Sequence, residues 1–367
     1  MAVVIVLVLL VVGSVIFTFV SPYWFTPIAS NWGTIDDILI LTFILTGIVF
    51  VLVVLFMAWA IHKYRYDKNR RSAYEPENNK LEWWLTILTS IAVIAMLAPG
   101  LVVWNDFITV PEDAHEVDVL GQQWHWAFRY PGEDGVLGTS GVQHITFANP
   151  LGVNPDDPNG QDDILIATSQ VMHLPMDRPV KILLRSKDVL HDFYVPQFRA
   201  KMDMIPGQVS YFWLTPIREG TFEILCAELC GVGHYQMRGK VVVEDEASYQ
   251  TWLTTQPTFA ETMSSGGVDA GVSLFDRGRL LAEGQGCLSC HSLDGSAGVG
   301  PTWQNIFGRS ETMADGSVIV VDEAYLRESI INPNAKVVEG FDPFMPPYDL
   351  TDEELEAIIA FMRGEGE

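Results

Sequence analysis

Hydrophobic positions in this chain fall into two arrangements. In the first third they gather into three long stretches, from Ala2 to Val20, from Ile38 to Ala60 and from Leu81 to Trp104. A helix needs roughly 20 apolar residues to cross a bilayer, and each run meets that length. The later two predict a transmembrane helical hairpin over residues 35–105. Residues 1–20 lack the basic start and the small-residue cleavage pattern of a secretory signal, so they are read as a retained third helix rather than a cleaved leader. His62, Lys63, Arg65, Lys68, Arg70 and Arg71 crowd the loop between the later runs. Basic loops stay on the cytoplasmic side, which puts everything after Trp104 outside.

Past residue 116 the pattern shortens. Val117-Asp-Val-Leu120, Ile182-Leu-Leu184, Tyr211-Phe-Trp-Leu214, Phe222-Glu-Ile-Leu225 and Lys240-Val-Val-Val243 are strand-length runs separated by Gly, Pro, Asn and Asp. They predict an antiparallel β-sandwich or small barrel over 116–246. Pro150 to Asp163 is a turn-rich loop. In Gln123-Trp124-His-Trp126-Ala-Phe128-Arg-Tyr130 the aromatics recur at period two, which sets them on one strand face as barrel core. Residues 247–272, rich in Thr, Ser, Gly and Pro from Gln256 onward, read as a linker. Helical spacing returns over 273–367, first at Leu274–Ala282. A final helix opens at Thr351 with Glu354 in capping-box position. The fold class is a multidomain membrane protein: transmembrane α-helices, an all-β domain and an all-α domain.

Composition agrees with that division. The 367 residues carry a formal net charge of −24 with a pI of about 4.5, yet mean hydropathy is +0.20. An apolar membrane part and an acidic water-facing part reconcile these values. The charge excludes nucleic acid as a partner, because phosphates would be repelled. It suits attraction to a basic redox protein, and equally a salty or hot habitat.

All four cysteines lie in two motifs. The first is Cys226-Ala-Glu-Leu-Cys230-Gly-Val-Gly-His234-Tyr-Gln-Met237, with His191 far upstream in Val189-Leu-His191-Asp-Phe-Tyr-Val-Pro. Two Cys and two His make a common zinc set. The thioether of Met237 points instead to copper, a softer metal. The second motif is Cys287-Leu-Ser-Cys290-His291. Cys-x-x-Cys-His is a c-type haem attachment signal, and a dithiol redox pair is the alternative. Its distal ligand should be Met or His. No His follows His291, leaving Met313 in a polar turn, Met362 at core spacing on the last helix, and Met345 on a proline-stiffened loop.

The first motif resembles the binuclear CuA site of cytochrome c oxidase subunit II, a family with a cupredoxin barrel behind a two-helix hairpin. The resemblance implies that Cys226 and Cys230 bridge two coppers, that His191 and His234 cap them, and that Met237 and the Glu228 carbonyl are weak axial ligands. It also implies that Trp124 is the tryptophan receiving electrons beside CuA, and that the Glu228 side chain helps bind magnesium at the junction with subunit I. Asp203 matches a motif near that junction and is given no role. The loop Phe344-Met345-Pro-Pro resembles that of class I cytochromes c, which makes Met345 the distal haem ligand. Gly300-Pro301-Thr-Trp303 matches their segment whose proline carbonyl orients the haem histidine.

The order of parts resembles caa3-type subunit II, and the first helix is an addition to its common pattern. The implied function is electron input from haem c to CuA and on to an oxygen-reducing, proton-pumping subunit I. Expected partners are subunit I, subunit III, membrane lipid and an external donor such as a cytochrome c, another small redox protein or a quinol-oxidising complex. The expected location is a prokaryotic plasma membrane with both cofactor domains outside. Glu82, opening the last membrane helix, is an ionisable residue where the family has a proton-channel entrance. The tryptophan at 84 and the missing proline depart from that family pattern. Two rivals remain: the electron-input subunit of a CuA-containing nitric oxide reductase, and a membrane-anchored electron shuttle or copper-handling protein.

Overall fold

The computed structural model describes every residue except 22–25, 72–75, 147–148, 168, 265–272, 297, 349 and 365–367. It divides into two compact units, Met1–Val110 and Pro111–Glu367.

The first unit holds α1 (Ala2–Val20), α2 (Gly33–Lys63) and α3 (Asn79–Ile108). All three are long and apolar enough to cross a membrane. Here α1 packs on α2, and α2 on α3. The last two overrun the apolar stretches at both ends, because polar residues continue a helix once it has started. Asn78 caps α3 by accepting the Leu81 N–H at 3.1 Å. Glu82 lies in its first turn, where a carboxylate complements the positive end of the helix dipole. Most large side chains of these helices face outward, with Phe56, Leu88 and Ile94 each about two-thirds exposed. In water that surface would be untenable, whereas in lipid it is the solvated face.

The second unit begins with a two-sheet sandwich. Its strands are β1 (His115–Gln122), β2 (His125–Tyr130), β3 (Ile164–Ile166), β4 (Val171–Pro175), β5 (Val180–Ser186), β6 (His191–Val195), β7 (Ala200–Met204), β8 (Ser210–Leu214), β9 (Gly220–Cys226) and β10 (Arg238–Glu244). One sheet runs β3-β2-β1-β5-β8 and the other β4-β10-β9-β6-β7. The pairs β1–β5 and β10–β4 are parallel and the rest antiparallel, so the expected purely antiparallel arrangement does not hold. Val117, Val119, Trp126, Phe128, Ile182, Phe193, Phe212, Ile224 and Val241 are buried.

Trp126, Phe128 and Tyr130 share the inner face of β2, as the period-two pattern predicts. The alternate residues His125, Ala127 and Arg129 are buried too. The reason is the loop over 131–163, which lies across this sheet and seals a small second core of Leu120, Ala127 and Leu151. Ion pairs fasten it. Arg129 contacts Asp118 and Asp163, each at 3.1 Å, and Arg185 reaches Asp118 at 2.5 Å. Asp163 in turn accepts the Gly138 N–H, and Arg129 donates to the Gly138 carbonyl.

The segment expected to be a linker is folded over its first part. It forms α4 (Glu246–Thr254), capped by Asp245, and α5 (Phe259–Ser264). Tyr249, Leu253 and Phe259 are buried, and Trp252 stacks on His173 with centroids 4.0 Å apart. Thr, Ser and Pro suggest a tether by composition, but these four side chains anchor it to the sandwich. Residues 265–272 lie outside the described residues.

Beyond them come α6 (Leu274–Gly284), a short ribbon of β11 (Ser310–Thr312) and β12 (Val318–Val320), α7 (Glu323–Ile331) and α8 (Asp352–Arg363). The expected capping box is present at Thr351 and Glu354. Helices α6 and α8 cross closely because Gly278 has no side chain: a Cβ there would lie 1.9 Å from the Ala357 carbonyl oxygen. Leu281, Ile358, Phe361 and Met362 fill the core behind the crossing.

Candidate metal centre and haem pocket

Two strand ends and one loop assemble the first site. β6 begins at His191, β9 ends at Cys226, and the loop over 227–237 returns the chain to β10. Phe193 pairs with Cys226 across the ladder, which sets the imidazole beside the sulfur. The two cysteine sulfurs are 3.7 Å apart. Cys226 Sγ lies 3.9 Å from His191 Nδ1 and 3.2 Å from the Glu228 carbonyl oxygen. Cys230 Sγ lies 3.5 Å from His234 Nδ1 and 3.8 Å from Met237 Sδ. All six donors expected from the sequence therefore converge, and none of the four cysteines is in a disulfide.

The electrostatics suit a cation. A hydrogen bond from Cys230 holds the Cys226 thiol far below its ordinary value, and the same pairing raises Cys230. Burial alone would lower the His191 imidazole, but its hydrogen bonds to Asp188 and Cys226 raise it. Two adjacent sulfurs compete for one proton here, and a metal that replaces it relieves the competition. A single zinc would use four of the donors and leave Met237 and the Glu228 carbonyl without purpose. Soft sulfur donors in this number fit copper. The Glu228 carboxylate itself is outside the cluster of ligand atoms.

The second site is a cavity bounded by the 286–303 segment, α7, the loop over 333–348 and α8. Cys287, Cys290, His291, Pro301, Trp303, Met345, Tyr348 and Met362 border it. His291 Nδ1 donates to the Pro301 carbonyl at 2.7 Å, which leaves Nε2 for iron. Trp303 stacks on the ring at 5.0 Å, and Gly300 leaves room where a Cβ would meet His291 at 2.5 Å. Burial lowers the His291 imidazole against the pull of that carbonyl, and raises the thiols of Cys287 and Cys290 to about 12 and about 11. A neutral imidazole and neutral thiols, facing an apolar cavity, fit a covalently held haem. Met345 borders the cavity as the sequence suggests. Met313 lies at the turn between β11 and β12, as its polar neighbours suggest, but its side chain is buried in the domain core and does not border the cavity. Met362 is core, as its spacing implied, and also touches the cavity wall.

Trp124 stands between the two sites. It sits in the turn joining β1 to β2, is buried, and borders the haem cavity together with Val232. Its Nε1–H donates to the Cys230 carbonyl at 3.1 Å, and Gln123 Nε2 donates to the same oxygen at 2.8 Å. Gly231 and Gly233 lie flat on the indole, since a Cβ at Gly233 would come within 2.4 Å of the ring. The helical domain closes the other side. Ser289 donates to the Trp124 carbonyl at 3.3 Å, and Gln122 Nε2 donates to the Gly284 carbonyl at 3.1 Å. Gly286 at φ +73° presses on the turn, where a Cβ would meet His125 Nδ1 at 3.0 Å and the Gln123 carbonyl at 3.1 Å. Glu82 belongs to the other compact unit, exposed at the start of α3.

Sequence reasoning missed Gln123, Asp188, Gly286 and Ser289. Gly286 directly precedes the haem motif, yet nothing in the sequence says what it faces. Asp188, three residues before His191, carried the one readable signal.

A sandwich that gathers sulfur ligands beside a c-type haem fold, in a chain that also carries apolar helices long enough to cross a membrane, defines a membrane-anchored electron carrier. Residues 116–245 match the family described as cytochrome C oxidase subunit II, periplasmic domain, and residues 275–365 match the cytochrome c family. The alternative cytochrome c oxidase subunit 2 of Bradyrhizobium diazoefficiens is 60% identical over 260 residues, 71% of this chain and 94% of the relative. Cytochrome c oxidase subunit 2 of Alkalihalophilus pseudofirmus is 26% identical over 340 residues, 90% of this chain and 86% of that one. That of Cereibacter sphaeroides is 28% identical over 235 residues, covering 62% and 77%. The chain belongs to the cytochrome c oxidase subunit II family, with a cytochrome c domain attached. Its role is electron input to a haem-copper oxidase, in which it assembles with subunit I, and its two sites serve copper and haem. The nitric oxide reductase reading is not favoured.

Proposed function

We propose that the chain is a caa3-type subunit II in which Cys226 and Cys230 bridge a binuclear CuA, His191 and His234 cap it, and Met237 and the Glu228 carbonyl are its axial ligands. Cys287 and Cys290 hold haem c, with His291 and Met345 as its axial ligands. When bound, the two groups supply one-electron carriers. The chain's own residues do the rest. Cys226 and Cys230 would share the charge of the copper they hold, and the β-sandwich holds their loop rigid, so little of the chain would have to move when that charge changes. Trp124 fills the space between the sites and excludes water from it, while its indole N–H fixes the Cys230 carbonyl.

The observation that carries this reading is that Trp124 touches both sites at once: it borders the haem cavity and bonds the backbone of a copper-ligating cysteine. With Trp124 only 4% exposed, an external protein donor meets the cytochrome domain rather than the copper loop. That donor is a small basic redox protein, in keeping with the acidic exterior. Glu228 contributes a carboxylate to a magnesium ion at the subunit I junction, Glu82 opens a proton path into subunit I, subunit III completes the assembly, and the membrane is the prokaryotic plasma membrane.

Cys226→Ser in the purified complex tests the reading. Copper content should fall and the mixed-valence EPR signal vanish, while haem c stays reducible and oxygen consumption stops. An intact two-copper signal in the variant refutes the ligand assignment.

A further inference from the structure

Asp188 lies outside every motif, yet three N–H donors converge on its carboxylate. Oδ1 accepts from His191 Nε2 at 2.8 Å and from the Val189 backbone at 2.7 Å. Oδ2 accepts from the Gln123 backbone at 2.7 Å. Gln123 in turn holds the Cys230 carbonyl through its side chain, and its own carbonyl faces Gly286 of the cytochrome domain. One carboxylate thus joins a ligand imidazole to the turn that carries Trp124.

We infer that Asp188 is a positioning residue for the copper centre, fixing His191 in the tautomer that offers Nδ1 to the metal and pinning the Trp124 turn to the same point. The inference rests on the copper reading above. The physics is local. A ring nitrogen that donates to a carboxylate leaves the opposite nitrogen as the lone-pair donor, and makes it more basic. The negative charge also favours the oxidised, more positive state of a nearby metal. An amide cannot reproduce this, because Asn offers one acceptor oxygen and adds two N–H donors. With Asn at 188, at least one of the three converging donors loses its partner.

The test compares wild type, Asp188→Asn and Asp188→Glu in the whole oxidase complex. Copper retention against a chelator and the midpoint of the copper centre, followed by EPR during redox titration, are measured beside the haem c midpoint. Asp188→Asn should weaken copper retention about 10- to 100-fold, the usual cost of losing an outer partner of a metal-binding histidine. Its copper midpoint should move positive while the haem c midpoint stays fixed, a separation that general loosening of the fold would not produce. Asp188→Glu keeps the charge on a longer arm and should return the midpoint towards wild type. Should Asp188→Asn fail to accumulate, Asp188→Glu still decides, because its retention should fall while its midpoint holds. Wild-type retention and midpoint in either variant overturn the inference alone. A wild-type complex without the two-copper signal overturns the reading beneath it.

Discussion

Gly286→Ala puts the contact between the two cofactor domains to the test. Gly286 sits at φ +73°, in the left-handed region. An L-residue there costs about 1–2 kcal/mol. The new methyl carbon would stand 3.0 Å from His125 Nδ1, 3.1 Å from the Gln123 carbonyl and 3.2 Å from the Trp124 nitrogen. The last two are backbone atoms that cannot swing away, so overpacking adds about 1–3 kcal/mol. Against this stand the Gln122–Gly284 and Ser289–Trp124 hydrogen bonds, each worth about 0.5–1.5 kcal/mol. The clash alone is as large as what those bonds supply, and even its lower end of about 1 kcal/mol reduces the docked-to-undocked ratio roughly 5-fold. Flash photoreduction of haem c, with the copper and haem absorbances followed separately, reads the consequence. Wild type should transfer in a fast phase insensitive to salt, and Gly286→Ala should lose most of that phase. Gly308→Ala is the control. Its φ is +78° but a Cβ there meets nothing within 4 Å, so it carries the strain without the clash. An unchanged fast phase in Gly286→Ala, or equal losses in both variants, refutes the docking argument.

Met345→Ala should lower the haem c potential, since a Met axial ligand raises it, and should remove the far-red absorption of thioether ligation. Met362→Leu should leave both in place, and the reverse outcome would exchange their roles. Gly278→Ala forces a Cβ against the Ala357 backbone and should destabilise the cytochrome domain by about 1–3 kcal/mol or more in denaturant titration. His115 packs edge-on to Tyr249, and burial first, then Arg178, lowers its imidazole to about 4. The unfolded chain therefore binds a proton that the folded one refuses between pH 6.5 and about 4. Stability should fall as pH drops through that window, by at most about 3 kcal/mol. Denaturation followed against pH should show a shallower slope in His115→Gln.

The parts of the fold that rest on local pattern were readable in advance. Long apolar stretches gave α1 to within a residue, and the Thr351–Glu354 box gave the start of α8. The ligand residues were equally legible, because metal and haem chemistry restrict residue type and spacing at once. What stayed hidden depends on contacts between distant segments. Period two in β2 implies one wet face, yet residues 131–163 cover it. Polar composition after Gln256 suggests a tether, while Phe259 buries itself in the sandwich. Polar neighbours place Met313 in a turn, which it occupies, but they do not say that its side chain points into the domain core. Gly286 matters through what folds against it, and one chain carries no record of that.

The Arg129, Asp118, Asp163 and Arg185 cluster constrains how this subunit can change over generations. Replacing Arg129 alone leaves the Asp163 carboxylate away from water without its arginine, while Asp118 keeps Arg185, a loss of about 3–5 kcal/mol for a broken interior pair. A domain with a margin of about 5–15 kcal/mol barely survives that step. Substituting all four by well-packed apolar side chains is close to neutral by comparison. Lineages are thus expected to retain the quartet or discard it wholesale, and chimaeras that import the 131–163 loop without the matching arginines should fail to mature.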